Sequence, residues 1–432
     1  MLSGGKPLEG EVHVRGAKNL LPKIMVAALL TTEPSVIRNV ADVEDVLIMT
    51  DFITEMGGKV ERLAEDVIKI YPEDIKPLSA KQLLKYGGKS RIPILLCGPF
   101  LVRFGKAVIP CLGGCKIGPR PVNFHIEALQ KLGAVIEEKD DGTYAKADKL
   151  KGTIITLDYP SVGTTEQVLL TSVLAEGMTE LRNAAIEPEI MDLILVLQKM
   201  GAIISVDTDR VIHITGVTKL KGYDHVALSD RLESASWACA AVATKGRIFV
   251  RGARQIDMIT FLNKLRQIGG GFTITEQGIT FYRENEDLIP ISLQTDVHPG
   301  FMTDWQQPFV VLLTQATGAS AIHETVYEER FGYVDTLNKM GAKIQLYQEC
   351  LGSGECRFAH RNYKHSAVII GPTKLKGTDI VIPDLRGGFS YVIAALMAEG
   401  ESTITNLGVI GRGYEKFMDK LTHLGADIKS AS

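Results

Sequence analysis

Met200-Gly201-Ala202-Ile203-Ile204-Ser205-Val206 reads as a junction between two kinds of structure. An amphipathic run ends at Met200, a glycine follows, and an alternating stretch begins at once. Glycine just past the last helical turn fits a left-handed C-cap, and the alternation fits a strand. The same junction recurs at Met56-Gly57-Gly58, Leu132-Gly133-Ala134, Ile268-Gly269-Gly270, Met340-Gly341-Ala342 and Leu424-Gly425-Ala426. Successive first glycines are separated by 76, 68, 68, 72 and 84 residues. Helix–glycine–strand junctions occur in any α/β protein, but regular spacing along the whole chain points to one unit written six times.

A second element recurs with it. A small-residue apolar run leads through a turn and a strand to a polar residue, as in Ala27 to Asn39, Ser172 to Asn183, Ala238 to Arg251, Leu312 to Glu324 and Ala394 to Asn406. Each copy is therefore expected to run strand, helix, strand, strand, helix, strand. A helix that is apolar all round, such as the one implied by Ala238 to Ala243, belongs inside. The expected architecture is α/β with helices inside a shell of sheets, six copies forming two domains of three. Asp224 to Ser229, between copies three and four, is the natural junction.

The totals bound the function. The chain has 432 residues, 45% of them hydrophobic and 23% charged, as in ordinary globular proteins. A net charge of −3 supplies no broad basic field for nucleic acid. Six scattered cysteines suggest a reduced cytosolic protein rather than a disulfide framework. Residues 1–20 lack a signal-peptide core, and no apolar run approaches the roughly 18 residues of a membrane span.

Chemistry-bearing residues gather in glycine-rich contexts. Gly113 to Val122 (Gly-Gly-Cys-Lys-Ile-Gly-Pro-Arg-Pro-Val) is too rich in glycine and proline for a regular helix or a central strand. Lys116 and Arg120 beside Cys115 favour its thiolate, so this thiol can exchange a proton near neutrality. The plainer reading is a surface turn with a free cysteine. Lys18 precedes an apolar helix, a setting that favours anions. Arg91, Arg120, Arg330, Arg386 and Arg412 lie in loop-like contexts, several beside glycine, where backbone and guanidinium can together approach a planar oxyanion. Singly, each reads as a surface ion pair; converging, they would hold a substrate bearing phosphate and carboxylate. Asp304 reads first as a helix N-cap and second as a general base. The insertion from Tyr347 to Ser366 holds Cys350, Cys356, His360 and His365, but their spacing matches no familiar zinc pattern, so a solvated hairpin or loop is expected and no metal.

The whole chain resembles the enolpyruvyl transferases. The likeness rests on Gly16-Ala17-Lys18-Asn19, the Gly113–Val122 loop with His125, Ser161-Val162-Gly163, Asn183-Ala184-Ala185 with Glu187-Pro188-Glu189, and Asp230-Arg231. It continues through Thr303-Asp304, Glu324-Thr325-Val326-Tyr327, Asp384-Leu385-Arg386 and Arg412-Gly413-Tyr414-Glu415. The resemblance implies a two-domain inside-out α/β barrel, each domain three βαβαββ repeats with helices inside. It implies domains at 18–229 and at 1–17 with 230–432, and a site in the cleft between them. It implies transfer of the enolpyruvyl group of phosphoenolpyruvate to the 3′-hydroxyl of UDP-N-acetylglucosamine, without metal or cofactor.

The roles that follow from it are specific. Lys18, Arg120 and Arg412 would hold the phosphate, and Arg330 and Arg386 the carboxylate, of phosphoenolpyruvate. Cys115 would be the acid toward the enol carbon and Asp304 the base. Asn19, Thr303 and Val326 would touch the amino sugar. Arg120, Pro121, Val122, Asn123 and Phe124, with Ser161, Val162 and Gly163, would line the uridine and diphosphate site; Arg91 joins the cationic lining. Five positions depart from the family pattern. Glu44 and Tyr159 stand for lysines, Ile186 for an arginine, and Asn123 and Gly411 for aspartates. Three of these alter charge where nucleotide or sugar phosphates would lie, which leaves another nucleotide or nucleotide-sugar acceptor, or a catalytically weak paralogue, as the alternative.

Overall fold

The computed structural model describes residues 1–84, 90–109, 122–140, 142–354 and 356–429. They form two compact units, one built on residues 1–15 and 229–429, the other on residues 16–109 and 122–228. Within each unit one motif repeats. Ile154–Thr156 and Met178–Arg182 are parallel strands, and the helix Val162–Ser172 connects them. The helix Pro188–Lys199 then leads to Ile203–Asp207 and Val211–Thr215, an antiparallel hairpin whose second strand returns to pair with Met178–Arg182. The order is thus strand, helix, strand, helix, strand, strand, which corrects the order read from the junctions. Parallel neighbours need a long crossover, supplied by the first helix, whereas an antiparallel pair needs only a tight turn.

Five four-stranded sheets and one three-stranded sheet arise this way among the described residues. Three of them borrow strands across the sequence. Glu9–His13 lies parallel to Arg247–Arg251, and Leu2–Ser3 is inserted between Glu401–Thr405 and Asp427–Ile428. Asp224–Val226 lies parallel to Ser35–Arg38.

The crossover helices form the interior. All 13 residues of Arg231–Ala243 are buried, and this helix packs against Thr303–Leu313 and Leu385–Met397. Trp237 is the one large ring on this helix of mostly small side chains, and it meets Phe389 of Leu385–Met397 edge-on at 5.0 Å. The second helix of each copy, such as Pro188–Lys199, is half exposed and closes the outer face. The six junction glycines, Gly57, Gly133, Gly201, Gly269, Gly341 and Gly425, all have φ between 88° and 107°, the left-handed cap expected of them.

The strand ends carry a further repeat. Asn39, Asn183 and Asn406 have φ of 59°, 55° and 62°. Each donates from Nδ2 to a carbonyl of the neighbouring strand's exit, Ala227, Leu157 and Ile382 respectively, at 2.8 Å. Asparagine tolerates this backbone and ties the exit loops to the sheets. The insertion is a loop between the antiparallel strands Lys343–Tyr347 and Ser366–Gly371, but it is not merely solvated, because Phe358 and His365 in it are fully buried. No helix among the described residues is long and apolar enough to cross a membrane.

Candidate active site

In the unit containing residues 229–429, three inner helices begin beside one another's functional residues. Asp230 caps Arg231–Ala243 by accepting from the N–H groups of Leu232 and Glu233, and Asp384 caps Leu385–Met397 through Arg386 and Gly387. Thr303–Leu313 begins differently. Its N-cap is Met302, without a side-chain bond, and Asp304 stands inside the first turn. The helix field still favours a carboxylate there, but the cap reading of Asp304 does not hold. Its carboxylate is turned instead to Arg330, which donates from Nη2, and to Arg386, whose Nε is 3.8 Å away.

Both arginines are almost fully enclosed, at 3% and 5% exposure. Arg330 also lies over the Tyr327 ring, and Arg386 over the Tyr414 ring at 5.2 Å with its Nη2 3.9 Å from Asp230. Even so, Arg330 Nε and Arg386 Nη1 are buried without a hydrogen-bond partner. Buried guanidinium donors left unmatched cost free energy that an anionic ligand would recover.

Glu324 braces the same region from beneath. It accepts from Thr303 Oγ1 at 3.0 Å, Gln306 Nε2 at 2.8 Å, and the N–H groups of Val326 at 2.7 Å and Tyr327 at 3.0 Å. Burial raises its pKa, opposed by Arg330 and these donors. Thr303 and Val326, the expected sugar contacts, are thus fixed by one carboxylate. Arg412 ends the short 3-10 segment Leu407–Arg412, half-buried, and the next residue, Gly413, lies close against Leu385, where a Cβ would fall 2.8 Å from Cδ2.

The other unit holds a second group. Lys18, in the turn before Leu21–Ala27, pairs with Asp45 at 2.8 Å, and Ser90 Oγ donates to the other Asp45 oxygen at 3.3 Å. Asp45 is buried on a helix whose other inward residues are Val46, Ile48, Met49, Phe52 and Ile53. A carboxylate on that apolar stripe was visible in the spacing, and sequence reasoning passed over it. Asn19 and Arg91 are half-buried nearby in sequence to these groups. Ser161 caps Val162–Ser172 by accepting from Thr164 N–H, and Gly163 lets His125 approach, since a Cβ there would sit 3.1 Å from His125 Nε2. Burial, and then Arg91, push the His125 pKa down to about 4. Phe124 lines a groove with Glu127, Lys131, Ile155, Leu157 and Asp158.

Cys115, Arg120 and Pro121 lie outside the described residues. Val122 directly precedes the helix Asn123–Lys131. Of the departures from the family pattern, Glu44 and Gly411 are exposed and Tyr159 and Ile186 half-buried. Asn123 is exposed and donates to Glu127 at 3.4 Å.

A family model described as EPSP synthase (3-phosphoshikimate 1-carboxyvinyltransferase) matches residues 2–421. The chain is 50% identical to a UDP-N-acetylglucosamine 1-carboxyvinyltransferase of Protochlamydia amoebophila, over 99% of this chain and 93% of that protein. It is 40% identical to the enzyme of the same name from Acidiphilium cryptum, over 99% and 98%. In fold it is similar to the crystal structure of the enolpyruvyl transferase NikO from Streptomyces tendae, with a TM-score of 0.87 at 22% identity over 99% of this chain and 97% of that one. EPSP synthase from Acinetobacter baumannii follows at a TM-score of 0.74 and 18% identity, covering 98% and 97%. Matched in sequence from its second residue to its last helix, the chain belongs to the EPSP synthase family of enolpyruvyl transferases.

Proposed function

We propose that this enzyme transfers the enolpyruvyl group of phosphoenolpyruvate to the 3′-hydroxyl of UDP-N-acetylglucosamine with release of phosphate, the first committed step of peptidoglycan precursor synthesis. The observation that carries this reading is the pair of buried arginines, Arg330 and Arg386, gathered on Asp304 with unmatched donors to spare. A substrate carboxylate binding those donors competes with Asp304 for the guanidinium groups. Asp304, released from them, becomes a stronger acceptor for the sugar hydroxyl proton. The hydroxyl oxygen bonds to C2 of phosphoenolpyruvate while Cys115 gives a proton to C3. Loss of phosphate and of a C3 proton then restores the double bond. Lys18, Arg120 and Arg412 offset the phosphate charge, so positive side chains supply the field that stabilises the transition state.

Lys18 belongs to one unit, and Asp304, Arg330, Arg386 and Arg412 belong to the other. Asn19, Thr303 and Val326 take the amino sugar, and the Phe124 groove with Ser161 to Gly163 takes the nucleotide. Cytoplasmic location fits both substrates and the scattered thiols. The test is phosphate release from phosphoenolpyruvate against a panel of acceptors. UDP-N-acetylglucosamine should support turnover, and shikimate 3-phosphate, UMP and UDP should not. Turnover with another nucleotide and none with UDP-N-acetylglucosamine would replace the acceptor, with the charge-altering positions as the first suspects.

A further inference from the structure

The insertion folds two thiols toward two imidazoles. Cys350 and Cys356 are free, with Sγ atoms 3.8 Å apart, far beyond the roughly 2.05 Å of a disulfide. His365 Nε2 lies 3.4 Å from Cys350 Sγ, and its Nδ1 meets the Tyr363 carbonyl at 2.9 Å. That carbonyl can only accept, so the ring proton is on Nδ1 and the lone pair on Nε2. The fourth member comes from outside the insertion. His323 ends the strand Gly318–His323 and is 1% exposed. Its Nδ1 faces Gln294 Oε1 at 3.1 Å, and its Nε2 is buried with no hydrogen-bond partner. One ligand atom from each of the four residues can be chosen so that all lie within 4.8 Å of one another.

These separations are those of a tetrahedral ion. Zinc–sulfur bonds of about 2.3 Å and zinc–nitrogen bonds of about 2.0 Å place sulfur atoms about 3.8 Å apart and sulfur about 3.5 Å from nitrogen. Here they are 3.8 Å and 3.4 Å. Each histidine has its second nitrogen held by an oxygen, as metal-bound imidazoles commonly do. The Phe358 N–H points at Cys356 Sγ at 3.3 Å, a hydrogen bond that a metal-bound sulfur can accept. The loop also closes tightly over the ring, since a Cβ on Gly352 would lie 2.0 Å from His323 Nδ1.

We propose that Cys350, Cys356, His365 and His323 bind one Zn²⁺ in a closed structural site. Two thiolates and two neutral imidazoles balance the ion's charge, and this soft, four-coordinate donor set suits zinc. Binding releases the two thiol protons. His323 is followed directly by Glu324, the carboxylate that fixes Thr303, Val326 and Tyr327. The ion therefore ties the insertion to the strand end from which the Arg330 segment departs, and it takes no part in the chemistry.

The full chain, without a histidine tag and under reducing conditions, is incubated with Zn²⁺, freed of excess by gel filtration, and assayed by elemental mass spectrometry. About one zinc per chain is expected. It should be released when a mercurial titrates the thiols, and the double variant Cys350→Ser/Cys356→Ser should fall to background. Co²⁺ in place of zinc should give the visible bands of a tetrahedral site with thiolate charge transfer in the near ultraviolet, and His323→Gln should alter those visible bands. Wild-type protein that retains no zinc, an octahedral cobalt spectrum, zinc fully retained by the double cysteine variant, or a Cys350–Cys356 disulfide formed under these conditions would each overturn the proposal. The wild-type cobalt spectrum decides the matter if the variants do not fold.

Discussion

Asp304 is held by two arginines that each keep one buried nitrogen without a partner, so removing its charge affects a network before it affects a bond. Asp304→Asn keeps the shape and loses the base. Turnover should fall on the order of a hundredfold or more while acceptor affinity, measured by calorimetry, survives; normal turnover would send the search for a base elsewhere. Cys115 makes the complementary prediction. Cys115→Ser should be nearly inactive, because a hydroxyl is too weak an acid. Cys115→Asp should retain activity that declines as pH rises through the carboxyl pKa, since only the protonated form donates. A pH–rate profile of the two variants separates acid from bystander, and full activity of Cys115→Ser would reduce the loop to a turn. The arginines were legible because each sits in a loop-like context or beside glycine. Asp45 was legible too, as a carboxylate on the apolar face of a helix, and was passed over; Glu324's bracing role and the orphaned donors were not legible, because they depend on which segments the fold brings together. His323 escaped for the same reason: it stands 27 residues before Cys350, outside any local metal spacing.

Elements repeat here because the same backbone problem is solved six times. A helix must end and a strand begin within two or three residues, and left-handed glycine does this at least cost. Gly201 isolates that cost, since φ is +102° and a Cβ would meet nothing within 4 Å. Gly201→Ala should therefore destabilise by about 1–2 kcal/mol through backbone strain alone, and Gly201→Asn by less. Gly216 is the contrast, because a Cβ there would fall 1.6 Å from the Ala175 carbonyl oxygen. Gly216→Ala should cost more than Gly201→Ala in urea unfolding, and the reverse order would contradict the packing. These glycines made the six copies readable in the sequence. The order of helices and strands within a copy was misread from the junctions, since periodicity marks a strand without placing it in the unit, whereas the βαβαββ order implied by the resemblance is the one the structure has.

On the scale of the molecule, a net charge of −3 hides strongly perturbed buried groups that govern response to pH. Burial raises Glu166 to about 7, against the pull of Lys23, and raises Glu233 and Glu324 as well. Burial lowers His125 to about 4. The signs oppose. The native state holds the Glu166 proton more tightly than the unfolded chain does, so its contribution is full below the ordinary value of 4.5 and lost as pH rises through about 7. His125 resists protonation when folded, so its contribution is full above the ordinary value of 6.5 and lost as pH falls through about 4. Each span corresponds to about 3 kcal/mol. In the overlap of the two spans, acidification gains on Glu166 what it loses on His125, and the pair together leave stability nearly flat. Breaking the pair should expose each slope. His125→Asn should become more stable, relative to its own value at neutrality, as pH falls from 7 to 5, whereas Glu166→Gln should become less so. Unfolding midpoints of the ligand-free variants across that range give the answer, and parallel profiles for both variants and the parent would show that neither group titrates as its burial requires.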